Sequence, residues 1–231
     1  KILDLLPDSV WNNVDYKWLD PGCGNGIFIY TVYKRLLVSL KKYFKNEEDI
    51  KKHILNNMLY MIEINNDYYD ELKKKFIEDT NIYICNFIEW NTQLKFDVII
   101  GNPPYNFNGN IKVPTNNFNN KKLDGKSIWK LFLRKSLSLL NDLGFLSIII
   151  PVLWMKPDKE QIYHSLFKNN ILKIICFDNT ETNKIFSYNA QTPVSCVSIQ
   201  KKNNTNDYQN ILIYDNKIHH KFNSYYLKYL S

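Results

Sequence analysis

The decapeptide Phe96–Tyr105, FDVIIGNPPY, constrains this chain more than any other stretch. Phe96, Val98, Ile99 and Ile100 make an apolar, β-branched run too short for a typical helix, and Gly101 with Pro103 and Pro104 halts it. The pattern predicts a buried strand that ends in a stiff polar turn. Each proline fixes its own φ and lacks an N–H, and the residue before each is kept out of the helical region. Asn102 and Tyr105 are thereby presented on rigid backbone at a strand's carboxyl end, where open α/β sheets hold their ligands. An amide and an aromatic ring offered in this way suit a planar guest that carries an amine.

The remaining elements follow from periodicity. A short helix broken at Pro7 precedes the strand Tyr16–Leu19, which delivers Asp20-Pro21-Gly22-Cys23-Gly24-Asn25-Gly26 to an amphipathic helix from Ile27. A charged helix over 46–57, a strand over 58–64 ending near Glu63, a helix over 66–79 and a strand over 82–87 come next. Beyond the decapeptide lie an aperiodic polar segment over 106–126, a helix over 127–141 with Ser127 as its cap, a strand over 145–150 and a helix over 157–170. Strands over 171–177, 194–200 and 211–214 complete the pattern, with polar turns over 179–192 and 201–209. The alternation β-α-β-α-β-β-α-β-α-β-β, with near-continuous apolar strands, predicts a mostly parallel α/β sheet covered by helices on both faces, with an antiparallel edge.

Length allows one well-packed domain with a small appendage in 231 residues. An apolar fraction of 45% supplies a core, while the lack of any apolar run of about 18 residues excludes a membrane-spanning helix. A net charge of +7 is compatible with a polyanionic partner, although lysines spread over a surface give the same total. Cys23, Cys85, Cys176 and Cys196 lack paired spacing and read as reduced thiols. No secretory segment precedes the first strand, so an intracellular, cytoplasmic location is expected. His53, His164, His219 and His220 have no partner ligands at useful spacing, and no metal site is expected.

Three strand ends carry chemistry. Gly22, Gly24 and Gly26 let backbone approach a ligand at a helix N-terminus, with Asp20 as an anionic acceptor just before them. By themselves these glycines equally describe a tight turn. A carboxylate here repels a pyrophosphate but holds an ammonium, which favours an amino-acid-bearing nucleoside over a dinucleotide. Glu63 can accept from both hydroxyls of a ribose, Asn86 can meet an adenine edge, and Phe87 can lie against its face. Read singly, they are a surface glutamate, a turn asparagine and a core phenylalanine. In order, they line one crevice able to hold methionine, ribose and adenine in turn.

The ordered set Asp20-Pro-Gly-Cys-Gly-Asn-Gly26, Glu63, Asn86-Phe87 and Asn102-Pro-Pro-Tyr105 resembles the Rossmann-like S-adenosylmethionine-dependent amino-methyltransferases. Within them it is most similar to the DNA adenine methyltransferases of restriction-modification type whose cofactor motif precedes NPPY. The resemblance spans roughly residues 1–202 and includes NDLGFLSIIIPVLWM and TPVSCVSIQKK. It implies a doubly wound, mostly parallel seven-stranded sheet with an antiparallel edge strand and helices on both faces. It further implies S-adenosyl-L-methionine bound by Asp20, Gly22, Gly24, Gly26, Glu63, Asn86, Phe87 and Asn102, and catalysis by Asn102, Pro103, Pro104 and Tyr105. One departure stands out, since the position of Asn86 is usually Asp in this family.

The acceptor expected from the resemblance is the N6 amine of adenine in a base flipped out of DNA, with Tyr105 stacked on it. Lys112, Lys121, Lys122 and Lys126 in the polar segment, with Arg134 beyond, are candidates for phosphate contacts. A protein glutamine amide or an RNA base as acceptor, and a non-catalytic subunit that binds nucleic acid or an active partner, stay open as alternatives. Residues 203–231 are expected to form an extension with an aromatic tail, too small for a target-recognition domain of about a hundred residues. Recognition is therefore expected from a separate subunit or domain.

Overall fold

The computed structural model describes residues 2–76, 80–106, 127–156, 160–186 and 192–202, and the backbone of two short strands beyond them. The strands are β1 (Trp18–Asp20), β2 (Leu59–Glu63), β3 (Asn81–Ile84), β4 (Phe96–Gly101), β5 (Leu140–Pro151), β6 (Asn170–Phe177), β7 (Val194–Gln200), β8 (Ile213–Asp215) and β9 (Lys221–Phe222). They form one sheet in the order β3-β2-β1-β4-β5-β7-β6-β8-β9. The helices are α1 (Ile27–Ser39), α2 (Glu47–His53), α3 (Asn66–Lys75), α4 (Trp129–Leu139), α5 (Ile162–Phe167) and α6 (Asn179–Ile185).

Alternate residues of each central strand enter two separate cores. Trp18, Val98 and Ile100 pack with Ile29, Val32 and Leu36 of α1 on one face. Leu19 and Ile99 pack with Phe132 and Leu133 of α4 and Leu166 of α5 on the other. Because both faces are covered, the strands read as unbroken apolar runs. The expected α/β class with helices on both faces is the observed one, and the first seven strands form its body.

Strands β1 to β5 pair in parallel, with Trp18 opposite both Leu59 and Val98. Strand β7 is antiparallel to β5 and to β6. It lies inside the sheet, and the antiparallel edge expected from the sequence is formed by β9, which pairs antiparallel with β8. The link after β6 returns at the same end of the sheet, bringing Val194 opposite Phe177, so β7 runs back between β5 and β6. Strands β8 and β9 then continue the sheet beyond β6.

Local differences have local causes. The segment expected as a polar turn over 179–192 contains α6, whose start is a capping box: Asp178 accepts from the Glu181 N–H, and Glu181 accepts from the Asp178 N–H. Helix α4 starts at Trp129 and has no side-chain cap, because Ser127 is drawn into an antiparallel bridge with Asn106. It ends at Leu139, two residues early, where Leu140 pairs with Phe96 and begins β5. The helix expected over 157–170 is observed as α5, with residues 157–159 outside the described set.

The chain passes from β1 outward to β3, then crosses back to β4 on the other side of β1. Strand order therefore reverses between β1 and β4, and their carboxyl ends, Asp20 and Gly101, flank the crevice in which doubly wound sheets bind ligands.

Candidate functional site

Asp20 ends β1 fully buried. Its Oδ1 accepts from the Gly22 N–H at 3.4 Å, while Oδ2 is buried with no partner among the described residues. Burial, opposed by the Gly22 bond and reinforced by the charge of Glu63, pushes the carboxyl up to about 7. A buried acceptor left unsatisfied is costly, and a cationic donor placed against it removes that cost.

Glu63 ends β2 with only 7% of its surface exposed. Its Oε2 accepts from the Gly24 N–H at 2.7 Å, and its Oε1 accepts from the N–H groups of Ile64 and Asn65 at 2.9 and 2.8 Å. The carboxylate thus joins the glycine turn to the end of β2. Gly26 closes the turn at φ 76, and a Cβ there would stand 2.5 Å from Leu72 Cδ2 of α3. Any other residue there would push the Leu72 side chain aside and hold an L residue at a φ that side chains rarely adopt.

The turn after β3 folds on itself. Asn86 Oδ1 accepts from the Ile88 N–H at 3.0 Å, and the Asn86 carbonyl accepts from Glu89 and Trp90. Phe87 is buried, with its ring 5.1 Å from that of Phe132 on α4. Lys135 of α4 donates to the carbonyls of Ile88 and Trp90 and stands 5.3 Å over the Phe87 ring.

Gly101 joins the two halves of the site. A Cβ at Gly101 would stand 3.3 Å from Asp20 Oδ1 and 3.4 Å from Pro21 Cδ, so only glycine lets β4 end against the carboxylate without forcing it aside. A Cβ at Gly22 would lie 3.5 Å from Phe132 Cε1 and 3.9 Å from Pro104 Cδ, which puts the glycine turn beside the proline turn. Pro103 is buried, Pro104 exposed, and Asn102 and Tyr105 half-buried.

The Tyr105 ring packs against both cores, and its hydroxyl donates to Asn102 Oδ1 at 3.1 Å. Burial raises the phenol above its ordinary range, so the hydroxyl keeps its proton. The ring is therefore half-buried and tied to Asn102. The Asn106–Ser127 bridge and the bond from the Ile128 N–H to the Tyr105 carbonyl join the chain on either side of residues 107–126 next to this turn.

Asp20, Gly22, Gly24, Gly26, Glu63, Asn86, Phe87 and Asn102 to Tyr105 thus stand on neighbouring strand ends in the expected order. Lys112, Lys121, Lys122 and Lys126 lie outside the described residues. Arg134 donates to the Glu160 carbonyl at 2.5 Å. Gly101, Phe132, Lys135 and the 68% exposed Ile64 escape a reading of motifs. Of these, only Ile64 carries a local signal, an apolar residue directly after the acidic strand end. Among the described residues no group of three or more His, Cys, Asp or Glu side chains is placed to hold a metal, and no helix is long and apolar enough to cross a membrane.

Comparison with known proteins adds the family. A curated protein of Mycoplasma pneumoniae, described as an uncharacterized adenine-specific methylase, is 25% identical over a match covering 66% of this chain and 52% of that protein. The chain thus spans about half the length of this relative. Similar folds occur in the type I restriction enzyme EcoKI M protein (TM-score 0.65, 14% identity, 90% of this chain and 47% of that one). They occur also in the ATP-dependent type ISP restriction-modification enzyme LlaBIII bound to DNA (TM-score 0.66, 16% identity, 100% and 20%). A third is a type I restriction-modification methyltransferase subunit from Streptococcus thermophilus (TM-score 0.56, 16% identity, 93% and 44%). At these identities the likeness concerns the fold. The family described as Eco57I restriction-modification methylase matches residues 25–186, from inside the glycine turn through the proline turn to the end of α6, and this chain belongs to that family.

Proposed function

We propose that this chain is the catalytic core of a methyltransferase that uses S-adenosyl-L-methionine to methylate the N6 amine of adenine in DNA. The observation that carries this reading is the contact across the switch point. A buried carboxylate with an unpartnered oxygen, Asp20, lies against Gly101, the residue just before Asn102-Pro103-Pro104-Tyr105. A site for an ammonium and a site for an amine therefore adjoin. Membership of a restriction-modification methylase family favours DNA over a protein amide or RNA as the bearer of that amine.

The residues fit the cofactor. Asp20 Oδ2 accepts its ammonium, and Glu63, already fixed by three backbone N–H groups, keeps lone pairs for ribose hydroxyls. Asn86 meets the adenine edge, with Phe87 holding the turn and the exposed Ile64 offering an apolar face. When bound, the sulfonium supplies an electrophilic methyl group.

The chain's own part in the reaction is positioning. The lone pair of a conjugated amine is delocalised into its ring, so attack requires the nitrogen to become pyramidal. Asn102 Oδ1 and the Pro103 carbonyl accept its two N–H groups and favour that geometry. Tyr105 leaves Asn102 to lie on the face of the extruded base and offsets part of the few kcal/mol that unstacking costs. The methylated nitrogen is a strong acid and loses its proton to solvent, so no strong base is required. Lys112, Lys121, Lys122 and Lys126 contact phosphates in this reading, and a separate recognition subunit or domain selects the sequence.

The test is incubation of unmethylated DNA, RNA and protein extract with labelled cofactor, with Asn102→Ala as control. Label in DNA, lost in the variant, is expected. Label in protein alone overturns the DNA assignment.

A further inference from the structure

Among the described residues strand β3 ends the sheet with β2 beside it, and the turn that follows is bonded within itself, the Asn86 carbonyl accepting from Glu89 and Trp90. One side chain from the opposite half of the site also holds it from outside. Lys135 Nζ donates to the Ile88 carbonyl at 2.9 Å and to the Trp90 carbonyl at 2.6 Å. The backbone N–H of that same Ile88 donates to Asn86 Oδ1 at 3.0 Å. Phe132, one helical turn before Lys135, packs its ring on Phe87 and approaches Gly22. An ammonium has three donors and can bind two carbonyls at once, in bonds stronger than neutral ones.

A chain of contacts runs from Lys135 through Ile88 to Asn86, whose amide the Ile88 N–H orients. With Oδ1 held by the Ile88 N–H, the amide offers its acceptor and donor in one order. Turned to a base, that order would pair with the edge of adenine, an amine followed by a ring acceptor, and oppose that of hypoxanthine, which carries the reverse. A carboxylate in place of the Asn86 amide would have no donor and would need no such orientation. The amide is therefore what the Lys135 clamp serves.

We propose that Lys135 is a positioning residue that sets the nucleobase specificity of the cofactor pocket by holding the Asn86–Trp90 turn. This role rests on the reading of that pocket as a site for S-adenosylmethionine. It joins the cofactor's base to α4, the first described helix after the catalytic turn.

Titration calorimetry with S-adenosylhomocysteine and its 6-oxo counterpart, S-inosylhomocysteine, tests the role on the whole chain. Lys135→Met keeps the stem and removes the donors. It should bind S-adenosylhomocysteine about tenfold more weakly, the value of roughly one charged hydrogen bond, and lose most of the preference over the 6-oxo ligand. Lys135→Arg, whose fork also reaches two carbonyls, should recover most of both. Hydrogen exchange at the Ile88 amide should quicken in Lys135→Met without any ligand. If Lys135→Met folds poorly, Lys135→Gln, with one donor group retained, should show the same narrowing in smaller degree. Unchanged affinity and preference, or an equal loss for both ligands, overturns the positioning role while leaving the cofactor reading intact. No binding of either ligand to the unmodified chain overturns the cofactor reading, and this role with it.

Discussion

The Tyr105 hydroxyl donates to Asn102 Oδ1 at 3.1 Å, so the two ends of the NPPY turn are tied to each other before any substrate arrives. The ring expected to stack on an extruded base packs against both cores. Tyr105→Phe keeps the ring and removes the tie. A hydrogen bond of this kind contributes about 1 kcal/mol, so kcat/KM for DNA should hold or rise by up to about fivefold, while Tyr105→Ala should lose well over tenfold. Steady-state kinetics on the two variants check this. A large fall in Tyr105→Phe would mean that the hydroxyl acts in the reaction.

Asp20 links the proposed cofactor site to pH. Its folded-state value of about 7 lies above the unfolded 3.8, because burial penalises the charged form. Between those values the folded chain binds a proton that the unfolded chain has lost, so stability falls as pH rises across this window. Asp20→Asn should abolish that slope and leave the chain roughly 2–4 kcal/mol more stable than the unmodified protein above pH 7. Denaturant melts at pH 5 and pH 8 measure it. A bound ammonium needs the ionised carboxylate, so affinity for S-adenosylhomocysteine should weaken by up to about tenfold per pH unit below 7. Affinity independent of pH in that range would separate Asp20 from the ammonium.

Glu63 accepts from three backbone N–H groups, those of Gly24, Ile64 and Asn65. Glu63→Gln leaves one side of the group facing an N–H with a donor of its own. The expected cost is about 1–3 kcal/mol, together with loss of ligand affinity as the glycine turn loosens. Thermal melts and calorimetry report both. Full affinity at reduced stability would limit Glu63 to a structural role.

Gly26 sits at φ 76 with Leu72 Cδ2 2.5 Å from the position of a Cβ. Gly26→Ala should cost about 1–3 kcal/mol from overpacking alone. Leu72→Ala removes the clash, so the double variant should be more stable than the sum of the two single losses predicts. Simple additivity would place the cost of Gly26→Ala in backbone conformation alone.

Much of the site was legible because its groups sit where strands stop. Asp20, Glu63, Asn86 and Asn102 each follow an apolar run broken by glycine, proline or polar residues, and those breaks are local features of the sequence. Two departures differ in kind. Helix α6 starts at a capping box, Asp178 with Glu181, whose spacing is local, whereas Ser127 leaves the cap position of α4 for Asn106, 21 residues away in the chain.

By itself, then, the sequence determined the alternation of strands and helices, the covered sheet and the order of the strand-end groups, because periodicity and chain breaks are properties of neighbouring residues. Tertiary structure alone decided that β7 runs inside the sheet, that Gly101 seats Asp20, that Tyr105 turns in toward Asn102 and that Lys135 holds the Asn86 turn. Each of these joins residues far apart in the chain, and no local pattern records which groups will meet when two faces of one sheet are packed at once.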